Sequence, residues 1–156
     1  EIPDNWRAIL VRPRLAETIS GERETEFFVQ CESIPNPNRS RMLQLLDQVI
    51  LPALRQGDLD LMSDSLFDYG CLAGDLFRKV QHGSFRTAEI ADRVASLRSL
   101  GLRSVGQSSW GPTVFGIAED PEHALHIARR WNASSNDSEL TISRFCNQAA
   151  RVVEVP

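Results

Sequence analysis

Hydrophobic and polar residues follow two different periods along this chain, and the changes between them divide it into strands and helices. Apolar residues that run together or alternate are typical of strands buried on both faces or on one face of a sheet. Such stretches predict strands at 6–11, 102–105, 114–118, 140–145 and 151–155.

Apolar residues at steps of three and four predict helices, because that spacing places them on one helical face. The stretches with this spacing are 22–30, 42–54, 59–80, 90–97 and 120–131. Pro52 lies inside the second pattern and predicts a kink there. Gly101 is expected to end the fourth helix. Asp120 precedes Pro121, so the last helix begins with an N-cap residue and a proline in its first turn.

Glycine and proline mark the connections between these elements. Linkers, turns or loops are predicted at 34–38, 81–84 and 134–138. Gly70 and Gly74 interrupt the longest helical pattern, four residues apart. Since glycine costs about 1 kcal/mol relative to alanine inside a helix, we expect another backbone to approach closely at these positions.

The order of the predicted elements is a strand, a set of helices, a strand–loop–strand hairpin, a helix and further strands. This order predicts an α+β fold with helices packed on one face of a mostly antiparallel sheet. A chain of 156 residues is long enough to form a single domain with its own core.

The composition is that of an ordinary globular protein, with 42% hydrophobic and 24% charged residues. The net charge of −4 argues against a nucleic-acid partner, because there is no broad basic surface to neutralise phosphates. No apolar run approaches the ~20 residues of a membrane span, so no membrane partner is expected. Cys31, Cys71 and Cys146 form neither a CxxC pair nor a disulfide ladder, which favours a reducing cytoplasm.

The most distinctive stretch is 106–113, Gly-Gln-Ser-Ser-Trp-Gly-Pro-Thr, which lies between two predicted strands. One interpretation is a hairpin whose glycines only allow the turn. The other is an anion-binding loop, because successive backbone N–H groups in such a turn form a concave nest and hydroxyl groups add donors. Under the second interpretation, the substrate- or phosphate-binding residues are Gly106, Gln107, Ser108, Ser109, Trp110, Gly111 and Thr113.

Three further groups of residues have a functional and a structural interpretation. Arg7, Arg12 and Arg14 flank the first strand and could bind phosphate, although scattered arginines are usually solvated. His123 and His126 could share a metal, but no third ligand is evident. A row of carboxylates could bind magnesium or form a solvated acidic face: Asp60, Asp64, Asp68 and Asp75. Because the sequence shows no plausible Ser/His/Asp set, HExxH motif or metal cluster, no catalytic residue and no metal site is predicted.

The glycine-rich stretch resembles the C-terminal motif of the GHMP kinase superfamily. It is most similar to the motif of a non-kinase branch, the β-ribofuranosylaminobenzene 5'-phosphate synthases, which carry a Gly-x-Ser-Ser-(aromatic)-Gly-Pro-Thr-Val-(aromatic) loop. The matching residues are Gly106, Ser108, Ser109, Trp110, Gly111, Pro112, Thr113, Val114 and Phe115. Weaker similarity occurs at 6–13, 20–28 and 51–54, in the order and spacing of the C-terminal half of a synthase.

This resemblance implies a ferredoxin-like plait, the fold of the superfamily's C-terminal domain, for residues 1–156 as a single domain. The superfamily's phosphate loop, Pro-x-x-x-Gly-Leu-Gly-Ser-Ser, belongs to an N-terminal domain and has no match here. We therefore expect this chain to be the C-terminal domain of a longer enzyme, without the N-terminal domain, and to be inactive alone.

The resemblance also implies a reaction. A synthase of this branch condenses phosphoribosyl pyrophosphate with 4-aminobenzoate, 4-hydroxybenzoate or a related aromatic acid, and releases carbon dioxide and pyrophosphate in tetrahydromethanopterin biosynthesis. Mg²⁺ would accompany the pyrophosphate-bearing substrate. Trp110 would either stack on the aromatic acid or anchor the hairpin in the core.

Two alternatives to a synthase are a GHMP small-molecule kinase, which would use ATP, and a non-catalytic ligand-binding or dimerisation domain. In both enzyme interpretations the partner is a phosphorylated small molecule. The sequence leaves a homodimer open.

Overall fold

The sheet is antiparallel throughout and has the strand order of a ferredoxin-like plait. The computed structural model describes residues 1–14, 19, 21–30, 36–81, 83–135 and 137–148. Within them four strands form one sheet: β1 (Arg7–Pro13), β2 (Val105–Gln107), β3 (Val114–Ala118) and β4 (Ser138–Arg144). The strand order is β2-β3-β1-β4, and each neighbouring pair is antiparallel. Ile9 lies opposite Gly116 of β3 and Ile142 of β4.

Helices connect the strands in the β-α-β-β-α-β order of the plait. Between β1 and β2 lie α1 (Glu22–Gln30), α2 (Asn36–Leu45), a π-helical turn (Leu46–Ile50), α3 (Leu51–Gln56), α4 (Leu59–Asp75) and α5 (Ala88–Ser99). Between β3 and β4 lies α6 (Pro121–Ser134). The α+β class and the ferredoxin-like plait are therefore confirmed. None of the helices among the described residues combines the length and the apolar character needed to cross a membrane.

The larger core lies between the sheet and the helices α5 and α6. Ile9, Val11 and Val114 of the central strands are fully buried in it, as alternate residues of a strand that point to the same face. Its buried members are Ile9, Val11, Ile90, Val94, Leu97, Leu102, Val105, Val114, Ala118, Ala124, Ile127 and Trp131. The two helices α5 and α6 therefore share one face of the sheet.

A second core lies among α2, α3 and α4. Its buried members are Trp6, Leu45, Ile50, Ala53 and Met62. Ile117 alternates with the core residues of β3 and so points to the opposite side of that strand, where it packs against this second core. The two cores are thus separated by β3. Helix α4 also contacts α5, because Arg98 pairs with Asp64 and its guanidinium lies over the ring of Phe67.

Several helix ends form as their capping residues predict. The side chain of Asp120 accepts a hydrogen bond from the backbone N–H of His123, and that of Asp58 accepts one from Leu61. Gly101 follows the end of α5 with a positive φ of 102°, a conformation that glycine adopts without steric cost. The expected helices at 22–30 and 90–97 and the start of the last helix at Asp120 are confirmed.

The region of Pro52 is irregular, as expected, and the irregularity is a π-helical turn. The backbone N–H of Leu51 bonds the carbonyl of Leu46, five residues back, immediately before the proline. Pro52 has no N–H to continue the α-helical ladder, so the chain restarts as α3 with this proline in its first turn.

Other expected boundaries are wrong. Residues 36–38 do not form a linker but begin α2. Pro37 fits in the first turn of this helix, because a backbone N–H at that position would have no partner within the helix. Residues 34–35 lie outside the described part. The strand expected at 102–105 begins only at Val105. In the loop expected at 134–138, Ser134 ends α6 and Ser138 begins β4. The strand predicted at 151–155 lies outside the described residues.

The longest helix ends earlier than its apolar pattern predicts. The pattern continues to Val80, but α4 ends at Asp75, and the N–H of Phe77 bonds the carbonyl of Gly74 in a tighter turn. A Cβ built on Gly74 would lie 2.0 Å from the backbone oxygen of Ser84. A close backbone approach is therefore confirmed at Gly74. The same expectation is wrong at Gly70, where an added Cβ would meet no atom of the described residues within 4 Å.

Replacement of either glycine of α4 by alanine is expected to change stability, in opposite directions at the two positions. Gly74→Ala is expected to lower the free energy of unfolding by about 1–3 kcal/mol, because its Cβ overlaps Ser84. Gly70→Ala, the matched control, is expected to raise it by about 0.5–1 kcal/mol through helix propensity. Urea unfolding of both variants beside the parent measures the difference. Equal effects of the two substitutions would contradict the packing at Gly74.

Candidate functional site

Residues 108–113 form the tip of the β2–β3 hairpin, so the expected loop between two adjacent strands is confirmed for them. Gly106 and Gln107, also expected in the loop, instead belong to β2 and pair with Phe115 and Val114 of β3. The backbone N–H of Ser108 donates to the carbonyl of Thr113 at 2.9 Å, and the N–H of Gly111 donates to the carbonyl of Ser108 at 2.8 Å. Ser109 and Gly111 have positive φ angles of 50° and 69°, and the Gly111–Pro112 peptide bond is cis. Two of the loop's backbone donors are therefore used within the turn itself.

Other donors of the loop are not used within the described part of the chain. Among the described residues, the backbone N–H groups of Ser109 and Trp110 have no hydrogen-bond partner, and neither have the hydroxyl groups of Ser108, Ser109 and Thr113. Ser108 and Ser109 are exposed. Hydroxyl and backbone N–H donors on one short loop are the groups that bind an anion without a charged side chain.

Gln107 and the two glycines shape the loop from within. The side-chain oxygen of Gln107 accepts a hydrogen bond from the Arg86 backbone N–H at 2.8 Å, and its nitrogen donates to the Ser109 carbonyl at 2.6 Å. A Cβ on Gly111 would lie 2.9 Å from Cδ1 of Ile90, and a Cβ on Gly106 would lie 2.9 Å from the ring of Phe115. These three predicted site residues therefore position the loop in this structure.

Trp110 anchors the hairpin. Its side chain is 4% exposed, and its Nε1 donates to a carboxylate oxygen of Glu24 in α1 at 3.0 Å. Its ring makes edge contacts with Phe27 and Phe28 of α1, at centroid distances of 5.3 and 5.7 Å, and with Phe77 beyond α4, at 4.5 Å. Of the two roles expected for this residue, the structure shows the anchor.

A cavity of about 350 Å³ adjoins the loop, between α1, α4, the turn after α4 and the hairpin. Its walls are mainly aromatic and apolar, and no lining residue among those described carries a charge. The lining residues are Phe28, Leu66, Tyr69, Gly70, Ala73, Gly74, Phe77, Gln81, Ser84, Phe85, Gln107, Ser109, Trp110 and Phe115. Of the predicted site residues, the cavity brings together Gln107, Ser109 and Trp110.

Most of the cavity's lining is absent from the sequence-based prediction. Its aromatic residues come from four separate parts of the chain, so no linear motif connects them. Outside the hairpin, a local signal was Gly70, a glycine inside α4 whose added Cβ would meet no atom of the described residues within 4 Å.

Two hydrogen bonds to the end of α4 hold the following turn in place, and this turn forms one wall of the cavity. The hydroxyl of Ser84 donates to a carboxylate oxygen of Asp75 at 2.6 Å, and Gln81 donates to the carbonyl of Gly74 at 2.7 Å. Partial burial opposes ionisation of Asp75, but hydrogen bonds from Ser84 and Arg78 outweigh it, so the pKa of Asp75 lies below its ordinary value. This carboxylate therefore remains an acceptor for Ser84 at neutral pH.

The acidic row of α4 is partly engaged by arginines. Asp64 accepts hydrogen bonds from Arg103 and from Arg98, and the hydrogen bond from Arg103 is the main reason why its pKa lies below the ordinary value. Asp60 lies 3.8 Å from Arg103. Within the described ranges, no group of three or more His, Cys, Asp and Glu side chains could hold a metal ion.

The other candidates lie away from the hairpin loop. Arg7 donates to the backbone carbonyls of residues 4, 5 and 6, which ties down the start of β1, and Arg12 and Arg14 are exposed. His123 is 3.7 Å from Glu119, and His126 is exposed on α6. None of these side chains lines the aromatic cavity.

Comparison with known proteins places the chain in a family. Residues 50–137, more than half of the chain, match the family described as GHMP kinases C terminal. The chain belongs to this family. The match includes α4, α5, the hairpin with its loop, and α6.

Two relatives extend this result. The chain is 23% identical over 120 residues to the β-ribofuranosylphenol 5'-phosphate synthase of Methanothermobacter thermautotrophicus, an alignment that covers 77% of this chain and 35% of that protein. A crystal structure of homoserine kinase from Cytophaga hutchinsonii superimposes with a TM-score of 0.62 at 14% identity, covering 91% of this chain and 42% of that one. The superposition supports the fold alone, and the chain spans only about a third of the synthase's length.

Gln107 is predicted to stabilise the hairpin rather than to bind a ligand through its side chain. Gln107→Ala is expected to lower the free energy of unfolding by about 1–3 kcal/mol, because it removes both hydrogen bonds that the amide makes. Ser108→Ala is the matched control and should change stability by less than about 0.5 kcal/mol, since its hydroxyl is exposed. Chemical denaturation measures both; a neutral Gln107→Ala would refute the positioning role.

Proposed function

We propose that this chain is the C-terminal domain of a cytoplasmic synthase that transfers a phosphoribosyl group to an aromatic acid. Its substrates are phosphoribosyl pyrophosphate and 4-hydroxybenzoate, 4-aminobenzoate or a related acid, and carbon dioxide and pyrophosphate are released. The proposal rests on one observation: the loop 108–113, whose sequence matches the synthase motif, presents hydroxyl and backbone N–H donors that have no partner among the described residues. The name of the Methanothermobacter relative supports it.

The loop suits the charge that develops in this reaction. As pyrophosphate leaves C1 of the ribose, negative charge grows on the departing oxygens and positive charge grows on the sugar. Donors fixed in advance stabilise the departing oxygens most effectively. The hydroxyls of Ser108, Ser109 and Thr113 are weak nucleophiles without an adjacent base, so they donate hydrogen bonds without trapping the sugar cation.

Mg²⁺ belongs to this proposal as a companion of the pyrophosphate-bearing substrate. Magnesium is commonly held by substrate phosphates together with one or two carboxylates. The carboxylates of α4 do not line the cavity, and Asp64 is already paired with Arg103. The metal would therefore be carried mainly by the pyrophosphate oxygens.

The decisive experiment is a product assay with the full-length protein that contains this chain. Phosphoribosyl pyrophosphate, Mg²⁺ and a carboxyl-labelled 4-hydroxybenzoate or 4-aminobenzoate should yield equal amounts of labelled carbon dioxide and pyrophosphate. A parallel reaction contains ATP and small-molecule alcohols, including homoserine. Phosphorylation of an alcohol without release of carbon dioxide would identify a kinase instead. A well-folded protein inactive in both reactions would indicate a non-catalytic ligand-binding or dimerisation domain.

The loop hydroxyls are predicted to contribute to pyrophosphate binding. Ser108→Ala and Ser109→Ala should each weaken binding of pyrophosphate with Mg²⁺ by about 1.5–3 kcal/mol, the usual value of a hydrogen bond to a charged group. Thr141→Ala removes an exposed hydroxyl from β4, at the opposite edge of the sheet, and is the matched control. Calorimetric titration measures binding, and thermal melts verify folding. If the serine variants melt and bind pyrophosphate like the parent, the loop serves only as a hairpin turn.

Gly111 is predicted to be more sensitive than either serine. Gly111→Val should lower both stability and binding, because position 111 has a positive φ and its Cβ would press on Ile90. The same titrations and melts apply. A valine variant as stable as the parent would show that the loop tolerates a different backbone conformation.

A further inference from the structure

We infer that the aromatic cavity beside the hairpin binds the ring of the acceptor acid, and that Gly70 keeps the space for it. This inference rests on the proposed function for the identity of the acid. It assigns the two substrates to two neighbouring places: the ring to the cavity, and the pyrophosphate to the loop donors outside it. The residue shared by both places is Ser109, which lines the cavity and carries free donors of the loop.

The lining of the cavity selects a flat apolar ligand. Aromatic side chains from α1, α4, the following turn and the hairpin surround it, and no described lining residue is charged. Transfer of a phosphate or pyrophosphate into such surroundings would be costly, because a buried charge needs a partner. The carbon face of an aromatic ring favours such surroundings and gains offset or edge contacts with its neighbours.

The volume limits the size of the ligand. At about 350 Å³, the cavity lies near the lower end of the range for small-molecule sites. It therefore suits a single substituted ring rather than a nucleotide.

The polar groups of the cavity place the carboxylate at its mouth. The amide nitrogen of Gln81, both ends of the Gln107 amide and the hydroxyl of Ser84 are engaged in hydrogen bonds with other parts of the chain. Ser109 retains a hydroxyl and a backbone N–H without partners among the described residues, and it is exposed. A carboxylate held by the backbone N–H of Ser109 leaves its hydroxyl for the pyrophosphate bound by the adjoining loop.

This placement brings the reacting atoms together. The bond between the ring carbon and the carboxyl group breaks, and carbon dioxide leaves. A π pair of the ring forms the new bond to C1 of the ribose while the C1–O pair departs with pyrophosphate, and the pair of the broken ring–carboxyl bond restores the aromatic ring. The balance requires no further reactant.

Gly70 points independently to a ligand. A glycine inside a helix is unfavourable, and at Gly74 the close backbone of Ser84 explains it. At Gly70 a Cβ would meet no atom within 4 Å, so nothing in the described protein requires the glycine. Because Gly70 lines the cavity, the absent side chain leaves room for a ligand instead.

The test fills the cavity from two positions of α4 in the full-length protein. Gly70→Leu and Ala73→Leu place leucine in the lining, and Asp68→Leu places it on the exposed side of the same helix as a control. Calorimetry measures the affinities of 4-hydroxybenzoate and 4-aminobenzoate and, separately, that of phosphoribosyl pyrophosphate with Mg²⁺. Thermal melts verify folding, and Gly70→Leu should melt no lower than the parent, because leucine is the better helix former.

We expect both cavity variants to weaken binding of the aromatic acids by about tenfold or more, while their affinity for phosphoribosyl pyrophosphate changes by less than about twofold. The control should bind all ligands like the parent. Unchanged affinity for the acids in both cavity variants, or failure of the folded parent to bind either acid, would overturn the inference.

The product assay separates this inference from the proposed function. Turnover that persists with an unchanged KM for the acid in both cavity variants would leave the synthase intact and refute the cavity assignment. Acid binding that is lost in the cavity variants of a protein without synthase activity would refute the synthase and support an aromatic-acid site.

Discussion

The burial of one indole ring holds the candidate site together. Trp110 is at the tip of the hairpin, yet it is 4% exposed because α1 and the turn after α4 close over it. Its Nε1 donates to Glu24, and its ring meets Phe27, Phe28 and Phe77 edge to face, the geometry that aromatic quadrupoles favour. The position of α1, the cavity wall and the outward presentation of the loop donors all depend on this contact.

The two glycines of α4, Gly70 and Gly74, have different structural roles. Gly74 lets the backbone of Ser84 approach, which allows the turn after α4 to fold back and be fastened by Asp75 and Gln81. At Gly70 an added Cβ would meet no atom of the described residues within 4 Å, so this position leaves open space beside aromatic walls. The first glycine builds the wall of the cavity, and the second preserves its volume.

Much of the fold could be predicted because its caps and turns depend on residues that are close in sequence. A cap such as Asp120 acts within four residues, and the hairpin loop combines its glycines, serines and proline in one stretch, so both are visible in the sequence. The end of α4 was not predictable, because the apolar pattern continues past Asp75 and the turn depends on contact with Ser84, nine residues further on. The cavity was not predictable for the same reason: four separate segments build it. Gly70 was a signal of it in α4, but the sequence could not distinguish a close backbone from an open space.

The aromatic cavity and the adjoining loop would have different roles in the proposed reaction. A decarboxylative condensation needs no protein base, because the bond to the departing carboxyl group already supplies the electron pair that restores the aromatic ring. It also gains nothing from a protein nucleophile, which would compete with the ring for the sugar cation. What remains is to exclude water from the ring, to orient it, and to stabilise the departing pyrophosphate. An uncharged aromatic cavity next to a loop of unpaired hydroxyl and N–H donors supplies these three functions.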